Sequence, residues 1–223
     1  MGKINLHIAN ASNTFTGAEC SVFHRAIKKA EMLISEMFQQ FDYNVDVIIV
    51  TPSFLLPTIA EDGIAGRAYH SRLIMMPIDK SQCPISEDFV FETICHELSH
   101  SLRWEKVPEY AETMFDSMIL EGLAVVLEEE AMNRFNNYNK QIFLREVQNT
   151  KQKEIDAMIE SLQNNFNDTV YDYSTIFYAG NDDLLRWTGY KLGYYFVKQY
   201  LLKTNQTITQ ATFASYRDFA IRK

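Results

Sequence analysis

The sequence predicts an α+β fold, with a small mixed sheet in residues 1–80 and a mainly helical portion in residues 81–223. Polar and apolar residues alternate in KINLHIA at 3–9, and a β-branched run, VDVIIVT, follows at 45–51. Beyond residue 86, apolar residues instead recur every three or four positions. Alternation is the period of a half-buried strand, and the longer spacing is that of one helix face. Strand-rich and helix-rich stretches that follow one another are typical of the α+β class.

A long amphipathic helix is predicted after the first strand. Segment 17–41 carries an apolar stripe at helical spacing, formed by Val22, Phe23, Ala26, Ile27, Ala30, Leu33, Ile34 and Met37. The run at 45–51 suits a central strand, which Pro52 ends. RAYHSRLIMMPID at 67–79 is interpreted as extended chain, either a hairpin or one bent strand. These segments account for the predicted sheet.

Composition predicts one globular domain spanning residues 1–223. The 223 residues are 47% hydrophobic, and the chain shows no repeat, no low-complexity segment and no linker rich in Pro or Gly.

A net charge of −8 argues against a nucleic-acid partner, because such proteins need clustered Lys and Arg to displace counterions. No apolar run approaches the roughly 20 residues of a membrane span, and the opening residues do not resemble a signal peptide. Three cysteines without a CxxC motif fit a reducing cytoplasm. We therefore expect a cytoplasmic protein.

The segment PISEDFVFETICHELSHSLRWE predicts the first helix of the helical portion. Ser86 is a candidate N-cap, and Glu87 and Asp88 suit the positive end of the helix dipole. Phe91, Ile94, Leu98 and Leu102 form the apolar face. We expect the histidines of this segment to lie on the neighbouring face.

His96 and His100 are four positions apart, with Glu97 directly after the first. Residues at this helical spacing have Cβ atoms roughly 6 Å apart, so both imidazoles can turn towards one point. That geometry suits a tetrahedral zinc with Zn–N bonds of about 2.0–2.1 Å. The side chain of Glu97 can reach a water on the open side of the ion, as in the HExxH motif of metalloproteases. Two histidines that merely share a helix face remain the alternative unless another ligand is found.

Glu121 is the candidate third ligand. From Met118 to Leu127 it is the sole polar side chain in an otherwise apolar run, MILEGLAVVL. A buried lone carboxylate costs several kcal/mol unless it is protonated, paired with a cation or bound to a metal. The alternative is a buried salt bridge with an arginine. Glu128 and Glu105 are the next candidates for the ligand position, although a solvated helix end is the simplest interpretation of the three consecutive glutamates that begin with Glu128.

Three motifs in this order, CHELSH, EGLA and TGYKLGYYFV at 188–197, resemble the gluzincin-type family of predicted zinc-dependent proteases. This family is catalogued mainly as a domain of unknown function, and the resemblance covers residues 60–220. It implies a zincin-like fold, in which the edge strand of a small sheet lies over a cleft. It further implies that the active-site helix carries His96, Glu97 and His100 and that a second helix carries Glu121. Some gluzincins have an acidic residue four positions after the third ligand, but this chain has Val125 there.

The late helical segment 182–203 contributes further candidates. Gly189 and Gly193 form a strip that permits close helix approach, and Tyr190 and Tyr194 follow them. A phenol near the metal, Tyr190 before Tyr194, can donate a hydrogen bond to a developing oxyanion, although aromatic packing is the alternative for either residue. His70 and Arg72, on the extended segment before the active-site helix, can serve the same purpose or bind a substrate carboxylate.

These residues predict a zinc metallopeptidase with one Zn²⁺. The ion, held by His96, His100 and Glu121, would lower the pKa of a water towards about 7, and Glu97 would act as general base. A peptide or protein substrate would add as a strand beside segment 64–77, with His70, Arg72 and Tyr194 as substrate-binding candidates. Two alternatives remain open. One is a zinc-stabilised binding or regulatory protein whose fourth ligand is a side chain such as Cys95 or Glu105, and the other is a hydrolase of non-peptide amides or esters.

Overall fold

The strands of the first third form one four-stranded mixed sheet, and the rest of the chain is mostly helical. The structure is a computed structural model that describes residues 2–55, 59–107, 109, 111–136 and 140–220. The α+β class predicted from the sequence is therefore confirmed. None of the helices in these ranges is both long enough and apolar enough to cross a membrane.

The strands are β1 (Lys3–Ile8), β2 (Asn44–Val50), β3 (Arg67–His70) and β4 (Leu73–Pro77), in the spatial order β1-β2-β4-β3. β2 pairs in parallel with both β1 and β4, whereas β3 pairs with β4 in an antiparallel hairpin. The extended segment 67–79 thus contains a hairpin, which was one of its two predicted forms. Among the described strands, β3 pairs with β4 alone, so it is an edge strand of the sheet.

The helix α1 (Gly17–Met37) joins β1 to β2 and packs against β1 and α2. Thr16 and Glu19 form a capping box at its start, which satisfies N–H groups that would otherwise lack partners. Six of the eight predicted stripe residues are buried, and Val22 and Met37 are half-buried. The helix ends four residues before the predicted end at residue 41.

The remaining helices are α2 (Glu87–Lys106), α3 (Met114–Arg134), α4 (Ile142–Gln148), α5 (Gln152–Leu162), α6 (Thr188–Thr204) and α7 (Ile208–Ala211). A π-helix spans Thr175–Ala179, and short 3₁₀ turns span Ala60–Asp62 and Tyr216–Phe219. The chain divides into two compact units: Met1–Val107 with Leu127–Phe143, and Pro108–Val126 with Leu144–Lys223. The single domain expected for residues 1–223 stays a prediction.

The last long helix begins later than the sequence pattern indicated. It was predicted from residue 182, but α6 begins at Thr188. Trp187 adopts left-handed φ of 61°, which is incompatible with a continuing α-helix, and the side chain of Asn181 accepts hydrogen bonds from the N–H groups of Asp183 and Leu184. Local side-chain hydrogen bonding therefore forms a turn where apolar spacing alone predicted a helix.

Close backbone approach fixes α6 against the first half of α3. A Cβ atom on Gly193 would lie 1.9 Å from the carbonyl oxygen of Met118, and one on Gly122 would lie 2.2 Å from the backbone of Gly193. Glycine is required at these positions because the two helices touch through their main chains. Gly122 follows Glu121 directly, so this contact also fixes the position of Glu121 within its unit.

Candidate metal centre

The two histidines of the HExxH motif lie on the buried part of α2. His96 is 9% exposed and His100 is 6% exposed, and every residue from Val90 to Arg103 is buried. Their ring centroids are 5.1 Å apart, and the rings are nearly perpendicular. The indole of Trp104 stacks on the ring of His100. The predicted helix thus holds both imidazoles on one face, within reach of one ion.

Glu121, on α3, completes a buried group with these histidines that could hold a metal ion. One ligand atom from each of His96, His100 and Glu121 lies within 4.8 Å of the other two. Two imidazoles and one carboxylate are a common donor set of catalytic zinc sites, in which the remaining position is left open. The residues present therefore fit zinc. A metal ion bound by this group would also give the buried carboxylate of Glu121 a positive partner.

A second acid of α3, Glu128, contacts one of the histidines. His96 Nδ1 lies 2.9 Å from Glu128 Oε2, and Glu128 is 1% exposed. An ionised carboxylate only accepts hydrogen bonds, so this contact assigns the proton to Nδ1 and leaves Nε2 available as a ligand atom. The interpretation of Glu128 as part of a solvated helix end was therefore wrong. It lies seven positions after Glu121, which places both acids on the same helix face.

The carboxylate of Glu97 is held by the edge strand of the sheet. Glu97 is 5% exposed, and its Oε2 accepts a hydrogen bond of 2.7 Å from the main-chain N–H of Ala68 in β3. A Cβ atom on Gly66 would lie 2.3 Å from Glu97 Cγ. The glutamate side chain therefore occupies space that exists because residue 66 has no side chain. No pattern in the sequence indicated this role for Gly66.

Tyr173 contacts the candidate ligand Glu121, and no pattern in the sequence indicated this residue. Its hydroxyl donates to Glu121 Oε1 at 3.3 Å, and its ring stacks on Phe177 with centroids 4.3 Å apart. Phe177 belongs to the π-helix, and its ring packs closely against Gly189. A Cβ atom on Gly189 would lie 2.4 Å from the Phe177 ring. Burial raises the pKa of the Tyr173 phenol, so the group keeps its proton and remains a donor. π-helical turns are frequent at functional sites, and this one is visible only in the structure.

The predicted tyrosines of α6 make other contacts. Tyr190 packs edge-to-face on Phe177, with centroids 5.6 Å apart. Lys198 Nζ lies 5.5 Å from the ring centroid of Tyr194. The roles predicted for Tyr190 in oxyanion binding and for Tyr194 in substrate binding stay predictions.

His70 and Arg72 lie at the exposed turn of the β3–β4 hairpin. Arg72 donates to both carboxylate oxygens of Glu105, at 3.1 and 2.5 Å, and Ser71 donates to Glu105 at 2.8 Å. The hydrogen bonds from Arg72 outweigh desolvation and lower the pKa of Glu105 to about 2. Arg72 thus has an ion-pair partner within the protein. The substrate-binding role predicted for His70 and Arg72 stays a prediction.

The side chains considered for a fourth ligand lie outside the metal-binding group. Among the described His, Cys, Asp and Glu residues, the group contains His96, His100 and Glu121, without Cys95 or Glu105. Cys95 is fully buried on α2, and Glu105 pairs with Arg72. Within the described ranges, the geometry therefore matches a site with three protein ligands more closely than a closed site with four.

Comparison with known families agrees with this donor set. The profile of a family described as "Predicted Zn-dependent protease (DUF2268)" matches residues 23–221. The match begins well before residue 60, where the motif resemblance began, and so includes most of α1 and all of β2. Comparisons with curated proteins and with solved structures give no significant match. The chain belongs to this family of predicted zinc-dependent proteases.

Proposed function

We propose that the protein is a zinc metallopeptidase with a zincin-like fold, in which His96, His100 and Glu121 hold one zinc ion and Glu97 is the general base. The family description supports zinc dependence and proteolysis. The buried His-His-Glu group supports the ligand assignment. The small mixed sheet beside a helix that carries HExxH supports the proposed fold.

The single observation that carries the proposal is the position of Glu97. Glu97 lies on the same helix as both histidines, and its carboxylate accepts a hydrogen bond from the N–H of Ala68 on the edge strand. A general base must lie within hydrogen-bond reach of the proton that it removes, and it must be held in place. The base is thereby fixed next to the strand edge where an extended peptide would add.

In this mechanism, the protein residues bind the peptide, move one proton and stabilise charge. Zinc in such a centre supplies Lewis-acid polarisation of the carbonyl group and acidifies water. Glu97 accepts a proton from the attacking water and delivers it to the nitrogen of the departing amine as the peptide bond breaks. The phenol of Tyr173 is neutral and donates its one O–H proton to Glu121, so Tyr190 remains the candidate donor to the oxyanion.

We further propose that the edge of β3 that faces away from β4 binds the substrate main chain. β3 is paired on one side only, and Tyr69 and His70 are exposed on it. An extended peptide that adds to such an edge gains main-chain hydrogen bonds with little demand on its sequence. The scissile bond would then lie beside Glu97, because Ala68 on the same strand already contacts that carboxylate.

The test is zinc analysis joined to hydrolysis of a fluorogenic peptide library by wild type and Glu97→Gln. The glutamine can still accept from Ala68 N–H but cannot take up a proton. We expect the variant to keep its zinc and to lose about 10²–10⁴-fold in kcat/KM, the usual contribution of general acid–base catalysis. Full activity in the variant would exclude Glu97 as the base. A wild type that keeps its zinc but cleaves no peptide would instead favour the binding protein or the non-peptide hydrolase.

A further inference from the structure

We propose that Glu92 is a positioning residue of the metal centre: it holds Glu128 against His96 and ties this pair to the start of α4. The proposal rests on the zinc site proposed above but not on peptide hydrolysis. It concerns a side chain that neither the HExxH motif nor the His-His-Glu group includes.

The first observation is that two buried carboxyl groups lie next to each other. Glu92, on α2, is 0% exposed, Glu128 is 1% exposed, and their carboxyl groups are within hydrogen-bond reach of each other. Two carboxylates only accept hydrogen bonds, so this arrangement requires one shared proton. Burial and the neighbouring Glu128 raise the pKa of Glu92 well above its ordinary value, which agrees with a proton on Glu92.

The second observation is that the bonds continue on both sides of this pair. Gln141 N–H donates to both oxygens of Glu92, at 3.1 and 3.2 Å, and Glu128 Oε2 lies 2.9 Å from His96 Nδ1. The order is thus Gln141 N–H, Glu92, Glu128 and His96. Glu92 acts through Glu128 and does not touch the ion or a substrate, so it is a positioning residue rather than a catalytic one.

The third observation is that the start of α4 depends on the same carboxyl group. Asp62 accepts from Ile142 N–H at 2.8 Å and from Phe143 N–H at 3.2 Å, so Asp62 and Glu92 together bind three successive N–H groups. The ring of Phe143 lies 6.2 Å from that of His96. Glu92 therefore links Glu128, which contacts His96, to the start of α4. The ring of Phe143 in α4 packs beside the same histidine.

The experiment compares Glu92→Gln and Glu92→Met with wild type. Glutamine is neutral, can donate its N–H to Glu128 and can accept from Gln141, whereas methionine keeps the length but forms neither bond. Glu31→Gln is the matched control, because Glu31 also accepts a backbone N–H, from Ile4, but its other bond is to Lys28. Zinc affinity is measured by competition with a chromogenic chelator. The His96 tautomer is measured by ¹⁵N NMR of the zinc-free protein.

We expect Glu92→Gln and Glu31→Gln to bind zinc within about threefold of wild type and Glu92→Met to bind about 10–100-fold more weakly, the usual effect of removing an outer hydrogen-bond partner. In zinc-free wild type and Glu92→Gln, His96 should carry its proton on Nδ1, and this population should fall in Glu92→Met. If Glu92 were only structural, Glu92→Met would lower the unfolding temperature without changing the His96 tautomer.

Two results would overturn the inference: unchanged zinc affinity and tautomer in Glu92→Met, or a tenfold loss of zinc affinity in Glu92→Gln. If Glu92→Met does not fold, the Glu92→Gln result and the wild-type tautomer decide. Neither readout requires peptide hydrolysis. A wild type that binds zinc and shows the expected tautomer but cleaves no peptide would therefore refute the proposed function and leave this inference standing.

Discussion

The carboxylate of Glu97 accepts a 2.7 Å hydrogen bond from the main-chain N–H of Ala68 and lies over the bare Cα of Gly66. The HExxH helix and the edge strand of the sheet are thereby joined at the residue proposed as general base. The geometry of this base depends on a glycine outside the motif.

Gly66→Ala tests this dependence. The new Cβ would lie 2.3 Å from Glu97 Cγ, so the glutamate must shift away from the edge strand. Misplacement of a catalytic group by about 1 Å can cost on the order of 100-fold in rate. We expect such a loss in kcat with zinc content unchanged, measured with the fluorogenic peptide. Gly17→Ala is the control, because a Cβ there meets open space, and wild-type activity in Gly66→Ala would contradict the account.

Tyr173→Phe tests the phenol on the third ligand. The variant keeps the ring that stacks on Phe177 but loses the hydroxyl that donates to Glu121. We expect zinc affinity to fall about tenfold, the lower end of the range for such partners, with little change in unfolding temperature. The matched control is Tyr171→Phe, which removes a hydroxyl bonded to Ser117 instead. Equal zinc affinity in the two variants would show that Tyr173 does not support the ligand.

Gly193→Ala tests the contact between α3 and α6. Alanine is favoured over glycine inside a helix by about 1 kcal/mol. Here, however, its Cβ would lie 1.9 Å from the carbonyl oxygen of Met118, and both atoms that collide are held by helix backbones. We expect the clash to dominate and to reduce the free energy of unfolding by about 1–3 kcal/mol in denaturant titrations. A stabilised variant would mean that the two helices separate easily.

The Arg72–Glu105 pair predicts a pH dependence. Arg72 lowers the pKa of Glu105 from 4.5 to about 2, so the folded state holds this carboxylate ionised more strongly than the unfolded state does. The resulting stabilisation is present above pH 4.5 and is lost as the pH falls to about 2. Arg72→Gln should therefore be less stable than wild type at neutral pH, and this difference should vanish in acid.

The measurement is thermal unfolding of wild type and Arg72→Gln from pH 7 to pH 2. Arg25→Gln is the control for loss of an exposed charge, because Arg25 pairs with Glu87 at the surface. A stability difference for Arg72→Gln that stays constant with pH would exclude this ion pair as its source.

The sequence predicted those parts of the fold and site that depend on periodicity. The helical spacing of His96 and His100 and the isolation of Glu121 among apolar residues were sufficient to select the group that the structure brings together. The helix repeat places Glu128 on the face of Glu121, which makes it a further ligand candidate, but three consecutive glutamates favoured a solvated helix end.

Other features could not be predicted because they arise from contacts between distant segments. Tyr173 lies in a polar, aromatic stretch without periodicity, and its orientation depends on stacking against Phe177. The role of Gly66 exists only because α2 brings Glu97 to it from 31 residues further along the chain. Likewise, apolar spacing extended α6 too far towards the N-terminus, because the spacing carries no information on the turn that Asn181 forms.

X-ray absorption at the zinc edge, combined with metal analysis of the purified protein, tests the zinc site most directly. We expect one zinc per chain, with two imidazoles, one carboxylate and one further light-atom ligand, and with no sulfur in the first coordination sphere. Glu121→Gln should lower the zinc content. A protein that binds no zinc, or zinc with a sulfur ligand such as Cys95, would contradict the account.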